Sequence, residues 1–324
     1  MQATARPRLY TCSMGRKTDL ALAILNGALG DYLARTGNGL ATQMCFMQGG
    51  RPAAIERGSS PRLVVLVHGL MTTESIWTME DGEDYGSLLA GDLGLAPLYL
   101  RYNSGLAIAD NGAALALLLE ALVASWPVPV EEMVLLGYSM GGLVIRSACH
   151  TGSLQQHKWL RGVRRAIYVG TPHLGAPFER AGRLVTQVLK AVDDPYTRLV
   201  GDVADLRSAG LKDLGHADIR HEDRALKRPP LGLRDPRHPV PLLPSIRHYL
   251  VAGSLSATPL LASLFGDSLV PVPSATDGVC VTADSMALPP SHVKILNGVS
   301  HLELPRRRDV YEHIRAFCAE EERA

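Results

Sequence analysis

Between residues 60 and 175, short unbroken apolar runs alternate with longer mixed ones. Leu63–Val67 contains only Leu and Val, Met133–Leu136 is wholly apolar, and Val163–Val169 ends in four apolar residues. Runs of this kind read as strands buried on both faces, which is the habit of parallel sheets. Pro97–Arg101 is a further strand. Gly112–Ser125, rich in Ala and Leu and stopped by Pro127, reads as a helix, as does Leu143–Cys149. Strand and helix in alternation predict an α/β fold with a doubly wound, mostly parallel sheet. The rhythm returns with strands at His248–Ala252 and Val293–Leu296 and a last helix at Arg308–Cys318.

Two stretches depart from that rhythm. Residues 1–58 read as a helical and hairpin extension. Its helix carries Leu22, Leu25, Leu29 and Leu33 on one face, and Gly49-Gly50 between Ala41–Met47 and Ala53–Glu56 suggests a hairpin. Residues 176–245 hold 22 charged residues in 70 positions, against 20% for the whole chain, and end in a Pro- and Arg-rich return. They read as a helical cap inserted into a core formed by 59–175 and 246–324. Leu184 and Val188, with Leu189 and Val192, give the insertion an apolar face. A cap leaving the carboxyl end of a strand is expected to overhang the ligand crevice and line its pocket.

Composition narrows the partners. The chain has 324 residues, 46% of them hydrophobic, and 33 Lys and Arg balance 32 Asp and Glu. Without a basic stripe to neutralise phosphates, no nucleic-acid partner is expected. Cys12, Cys45, Cys149, Cys280 and Cys318 are scattered and odd in number, which fits a reducing, cytoplasmic setting and neither a metal site nor a disulfide framework. Arg16 and Lys17 before Leu20–Leu25 have some likeness to a signal peptide. Asn26, Gly27 and Asp31 follow at once, and the amphipathic-helix reading is preferred. The apolar stretches fall short of the roughly 20 residues of a membrane span, so no transmembrane segment is expected.

The chemical signal lies at Gly137-Tyr138-Ser139-Met140-Gly141-Gly142, between an apolar strand and a helix. In that setting G-x-S-x-G forms a sharp turn that presents the serine hydroxyl at the carboxyl edge of the sheet. A serine needs a base, and the base needs an orienting acid. Where a serine sits on such a strand–turn–helix, the order along the chain is Ser, then Asp or Glu, then His. Asp267 in Gly266–Pro271 and His301, just beyond the last strand, meet that order. Asp277 and Asp284 compete for the acid's role. His292 competes for the base's, but at the start of a strand, on the wrong edge. Met140 N–H and Leu70 N–H, the latter in Val67-His68-Gly69-Leu70 after the first core strand, are the expected oxyanion donors. His68 reads as a loop stabiliser.

These segments, with Trp77 and Tyr168-Val169-Gly170-Thr171-Pro172-His173-Leu174-Gly175, resemble the α/β-hydrolase superfamily. The resemblance is to its lipase and esterase branch, the GPI inositol-deacylase-like and bacterial lipases. It spans roughly residues 60–175 and 246–318. It implies a catalytic triad of Ser139, Asp267 and His301, an oxyanion hole, and hydrolysis of a carboxylic ester or lipid, with no cofactor. Thioesterase, amidase or acyltransferase chemistry would use the same machinery. His173 is expected to be structural. The acidic and His residues from Asp213 to Asp223 read as charges on a solvated helix and not as a metal site.

Overall fold

The structure is a computed structural model that describes residues 15–175, 208–225, 240–255, 267, 270, 272–276 and 288–320. The elements are α1 (Arg16–Arg35), β1 (Cys45–Gln48), β2 (Arg51–Pro52), β3 (Arg62–Val67), α2 (Tyr85–Leu93), β4 (Ala96–Arg101), α3 (Ile108–Ser125) and β5 (Glu132–Tyr138). They continue with α4 (Met140–Leu154), β6 (Val163–Val169), α5 (Ala209–His216), α6 (His221–Ala225), β7 (Arg247–Ser254), α7 (Val272–Thr276), β8 (Val293–Asn297) and α8 (Arg308–Ala319).

The strands form one sheet in the order β2-β1-β4-β3-β5-β6-β7-β8. β1 runs antiparallel to β2 and β4, and every pairing from β4 to β8 is parallel. The apolar runs are explained by two packed layers. Leu63, Val65 and Val67 point to one face with α3 and α4, while Val64 and Leu66 point to the other with α2 and α8. Alternate side chains along a strand leave on opposite faces, so a strand covered twice must be apolar throughout. α2 has an Asp84 cap, its carboxylate accepting the Ser87 N–H, and ends at Gly94 in the left-handed region.

Several expectations need correction. The hairpin forms about Gly49-Gly50, both at positive φ, and joins the sheet through β1 and β4. Its return arm is only Arg51–Pro52, and a 3₁₀ turn at Ile55–Arg57 takes the place of the second apolar run. Of its leucine face, α1 fully buries only Leu33. Ile24, Asn26, Gly27, Ala28, Gly30 and Leu33 are buried, and Leu22, Leu25 and Leu29 only half so. The reason is close approach at the glycine face. A Cβ on Gly27 would lie 2.3 Å from Met71 Cγ, and one on Gly30 would lie 1.8 Å from Asn103 Oδ1.

The charged residues around α5 are solvated only in part: His216, His221 and Glu222 are exposed, and three aspartates are not. Asp213, Asp218 and Asp223 are all buried. Asp213 accepts the Ile108 N–H at the start of α3, and Asp223 pairs with Arg220. Among the described residues no cluster of His, Cys, Asp or Glu is arranged to hold a metal ion. α3 is also longer and more apolar than expected, enough by length and composition to cross a membrane. Leu115, Ala116, Leu119 and Leu122 bury one side of it in the core.

Candidate active site

β5 delivers Ser139 to the carboxyl edge of the sheet and α4 starts at the next residue. Ser139 has φ 53° and ψ −123°, a conformation that non-glycine residues rarely adopt. Its N–H donates to Val169 O at 2.8 Å, which fixes the turn against β6. The neighbouring glycines are there because strand and helix nearly touch. A Cβ on Gly141 would meet Val67 O at 2.3 Å, and one on Gly137 would meet Gly142 Cα at 2.7 Å.

His301 and Asp267 arrive from the other half of the chain. His301 Nε2 lies 2.9 Å from Ser139 Oγ, and His301 Nδ1 lies 2.7 Å from Asp267 Oδ2. The carboxylate accepts Nδ1–H, which leaves Nε2 to accept the serine proton. All three residues are at most 2% exposed. Asp267 is anchored twice more: Oδ1 accepts the Val270 N–H at 2.8 Å, and its carbonyl accepts the His301 N–H at 3.1 Å.

A serine at this strained strand–helix turn, in a sheet of this strand order, decides the architecture. The chain has the α/β-hydrolase fold.

Within that fold, the loop after β3 lies against the serine. A Cβ on Gly69 would come within 3.1 Å of Ser139 Cβ. Most of the loop's polar groups are engaged. Tyr102 OH donates to His68 O at 2.8 Å, and both His68 Nδ1–H and Thr72 OH donate to Gly69 O. Among the described residues, neither Leu70 N–H nor Met140 N–H has an acceptor. His68 stacks on Tyr102 with ring centroids 4.4 Å apart, and burial holds its pKa down at about 4, so it is a neutral part of the loop.

His173 is buried away from the serine and takes a bond from Arg146 on Nδ1 at 3.2 Å. Burial, then the Arg146 charge, drives its pKa well below the ordinary value. His292 packs on Tyr249 and donates through Nδ1 to His248 O. Neither is brought to Ser139. Asp277, Asp284, Leu184 and Val188 lie outside the described residues.

Two supports of the histidine were not anticipated. Tyr138 OH donates to His301 O at 3.0 Å, and its ring lies 5.1 Å from the imidazole. Gly170, at φ 59°, sits under the ring, where a Cβ would be 3.1 Å from His301 Cε1 and Nδ1. A glycine directly after a core strand, facing the site's edge of the sheet, is the signal that would have marked it.

No family model matches the sequence, and no curated protein does either. Similar solved structures exist. The Bacillus licheniformis lipase BlEst2 in its mature form is 17% identical, with 82% of this chain and 94% of that chain covered and a TM-score of 0.49. An esterase from Pyrobaculum calidifontis is 15% identical, with 98% and 94% covered and a TM-score of 0.47. YbtT, the type II thioesterase of the yersiniabactin pathway, is 17% identical, with 86% and 95% covered and a TM-score of 0.44. Likeness at this level carries no argument about activity, and the fold is assigned from strand order and the serine turn.

Proposed function

We propose that the protein is a serine hydrolase that cleaves carboxylic esters through an acyl-enzyme on Ser139. The observation that supports this reading is the buried relay of two hydrogen bonds from Ser139 Oγ through His301 to Asp267. A relay of this kind is costly to bury unless every partner is present, and it activates an otherwise weak nucleophile.

In this reading His301 takes the serine proton as Ser139 attacks the ester carbonyl. The developing oxyanion is received by Leu70 N–H and Met140 N–H, two donors with no acceptor among the described residues. His301 then protonates the departing alcohol. Water, activated by the same imidazole, attacks the acyl-enzyme and releases the acid and the free serine. Asp267 keeps the imidazole in the required tautomer and stabilises the imidazolium. In the same reading the insertion at 176–245 is assigned to the acyl pocket, with Leu184 and Val188 as its candidate lining. The substrate class is a small acyl ester or a lipid.

The test is fluorophosphonate labelling of the purified protein beside Ser139→Ala, followed by turnover of p-nitrophenyl esters, acyl-CoAs and anilides. Labelling lost in Ser139→Ala, with esters turned over fastest and the variant at least ~10³-fold slower, is expected. Faster turnover of acyl-CoAs or anilides would reassign the bond cleaved. Absence of labelling would make the protein a non-catalytic binder on this frame.

A further inference from the structure

We propose that Ser104 is a positioning residue for the oxyanion hole, holding the Leu70 amide in place through the N–H of Met71. The inference rests on the hydrolytic reading above and adds to it the group that fixes the second donor. Ser104 lies in the turn after β4, 2% exposed, and its Oγ accepts the Met71 N–H at 3.0 Å.

Met71 is the residue that makes this bond matter. It has φ 57°, in the left-handed region, with a side chain that is 0% exposed. A non-glycine residue stays there only where its surroundings over-determine it. The peptide joining Leu70 to Met71 turns with Met71 φ, so a loop that relaxes at Met71 also swings Leu70 away. Two holds are present. One is the Ser104 hydroxyl. The other is α1, which approaches so closely at Gly27 that a Cβ there would lie 2.3 Å from Met71 Cγ.

The turn bearing Ser104 is itself locked. Asn103 Oδ1 accepts the Gly105 N–H at 3.0 Å, Asn103 Nδ2 donates to Gly30 O of α1 at 2.9 Å, and Asn111 Nδ2 of α3 donates to Asn103 O at 3.0 Å. From the insertion, Gly210 N–H donates to Gly105 O at 3.0 Å, and a Cβ on Gly210 would lie 2.2 Å from Ser104 O. Buried polar lattices of this kind, with their members paired, fix one register of the backbone. The N-terminal helix, the insertion and the loop beside Ser139 thus meet at Ser104.

The experiment compares the full chain with Ser104→Ala, Ser104→Thr and Gly27→Ala, using p-nitrophenyl butyrate. Active sites are counted by fluorophosphonate labelling taken to completion, so unfolded protein does not enter kcat. Removing one oxyanion donor outright typically costs about 10²–10³ in kcat; loosening its loop is expected to cost at least ~10-fold in Ser104→Ala, with KM changed less than ~2-fold. The inhibition constant of an alkylboronic acid, whose tetrahedral adduct puts an oxygen in the hole, should rise in parallel with the fall in kcat. Ser104→Thr, which keeps the hydroxyl, should recover most of the loss, and Gly27→Ala should reproduce it. A role in folding alone would lower Tm and leave kcat per labelled site unchanged. The proposal is overturned if kcat per site stays within ~2-fold of wild type in Ser104→Ala, or if Ser104→Thr loses as much as Ser104→Ala. Should Ser104→Ala not fold, Gly27→Ala decides by the same criterion. A wild-type protein without Ser139-dependent turnover overturns the hydrolytic reading too; an active one with indifferent variants overturns this proposal alone.

Discussion

Mild acid should destabilise this protein by about 4 kcal/mol between pH 7 and pH 5, through histidines buried in their neutral form. Burial is the main cause at each site and holds the pKa of His68 and of His248 at about 4, against an ordinary value of 6.5. His68 Nδ1–H donates to Gly69 O, and its Nε2 is buried with no partner among the described residues, so a proton added there would make an uncompensated cation. His248 accepts from Tyr168 OH on Nδ1 and donates from Nε2 to Leu243 O, with the Arg146 charge nearby. Above pH 6.5 both folded and unfolded chains carry these rings neutral, and the stability is fully present. Below it the unfolded chain binds protons that the folded chain refuses, so stability falls until about pH 4 and then levels off for these two groups. A shift of that size removes about 2 kcal/mol per ring by pH 5, against a usual total of roughly 5–15 kcal/mol. His173 acts in the same direction. Urea unfolding at pH 7, 6 and 5 checks the sum, and His248→Gln, which keeps a donor and an acceptor without titrating, should remove about half of the pH dependence of the pair. A free energy of unfolding flat between pH 7 and 5, or an unchanged slope in His248→Gln, would refute the reasoning. Because His68 sits in the loop beside Ser139, acid should loosen the site as well as the fold. Rate profiles must therefore be read against unfolding at each pH.

Asp267→Asn should lower kcat by roughly 10³–10⁴, since an amide can hold the imidazole in the wrong tautomer; Asp277→Asn, assayed beside it, should change kcat far less, and equal losses would move the role to Asp277. Gly170→Ala should lower kcat at least ~10-fold and lower Tm, because a methyl at φ 59° meets the His301 ring at 3.1 Å; unchanged kinetics would mean that the ring has room to shift. Leu184→Asp or Val188→Asp should raise KM for acyl chains of eight or more carbons and leave acetate hydrolysis nearly unchanged, and an unaltered chain-length profile in a folded variant would remove the insertion from the acyl pocket.

The parallel core was readable because its strands are covered on both sides. Leu63–Val67 and Met133–Leu136 have no polar position, and that pattern has few explanations other than a sheet between two helical layers. The serine turn was readable because sterics leave so little choice: Gly137 and Gly141 sit where a methyl would strike backbone. The order of Asp267 and His301 along the chain was readable too. That Tyr138 and Gly170 hold the histidine was not, since the contact joins positions 163 residues apart in one case and depends on a single φ in the other. Asp213, Asp218 and Asp223 were misjudged because charge in a sequence suggests solvent. Asp213 instead caps the start of α3, accepting the Ile108 N–H at 2.9 Å, and a helix start 105 residues away leaves no local trace.

The first helix shows a different limit. A hydrophobic face read at helical spacing presumes that a helix docks through its large side chains. Leu22, Leu25 and Leu29 satisfy that pattern, yet they are only half-buried. α1 docks through Gly27 and Gly30, three residues apart on one face, because what it meets is not a sheet of side chains but the Met71 loop and the 103–105 turn. Glycines destabilise a helix interior by about 1 kcal/mol each relative to Ala, so two on one face suggest a contact that larger residues would prevent. Asn26 adds to this: it is buried, and its amide binds Leu22 O, Leu40 O and Thr42 N–H, tying the helix to the chain that follows. A helix built for close approach through its glycines is a poor generic scaffold and a good clamp. Its contacts fall on the two segments that control the Leu70 amide, so residues near the start of the chain belong to the site's architecture as much as those near Ser139.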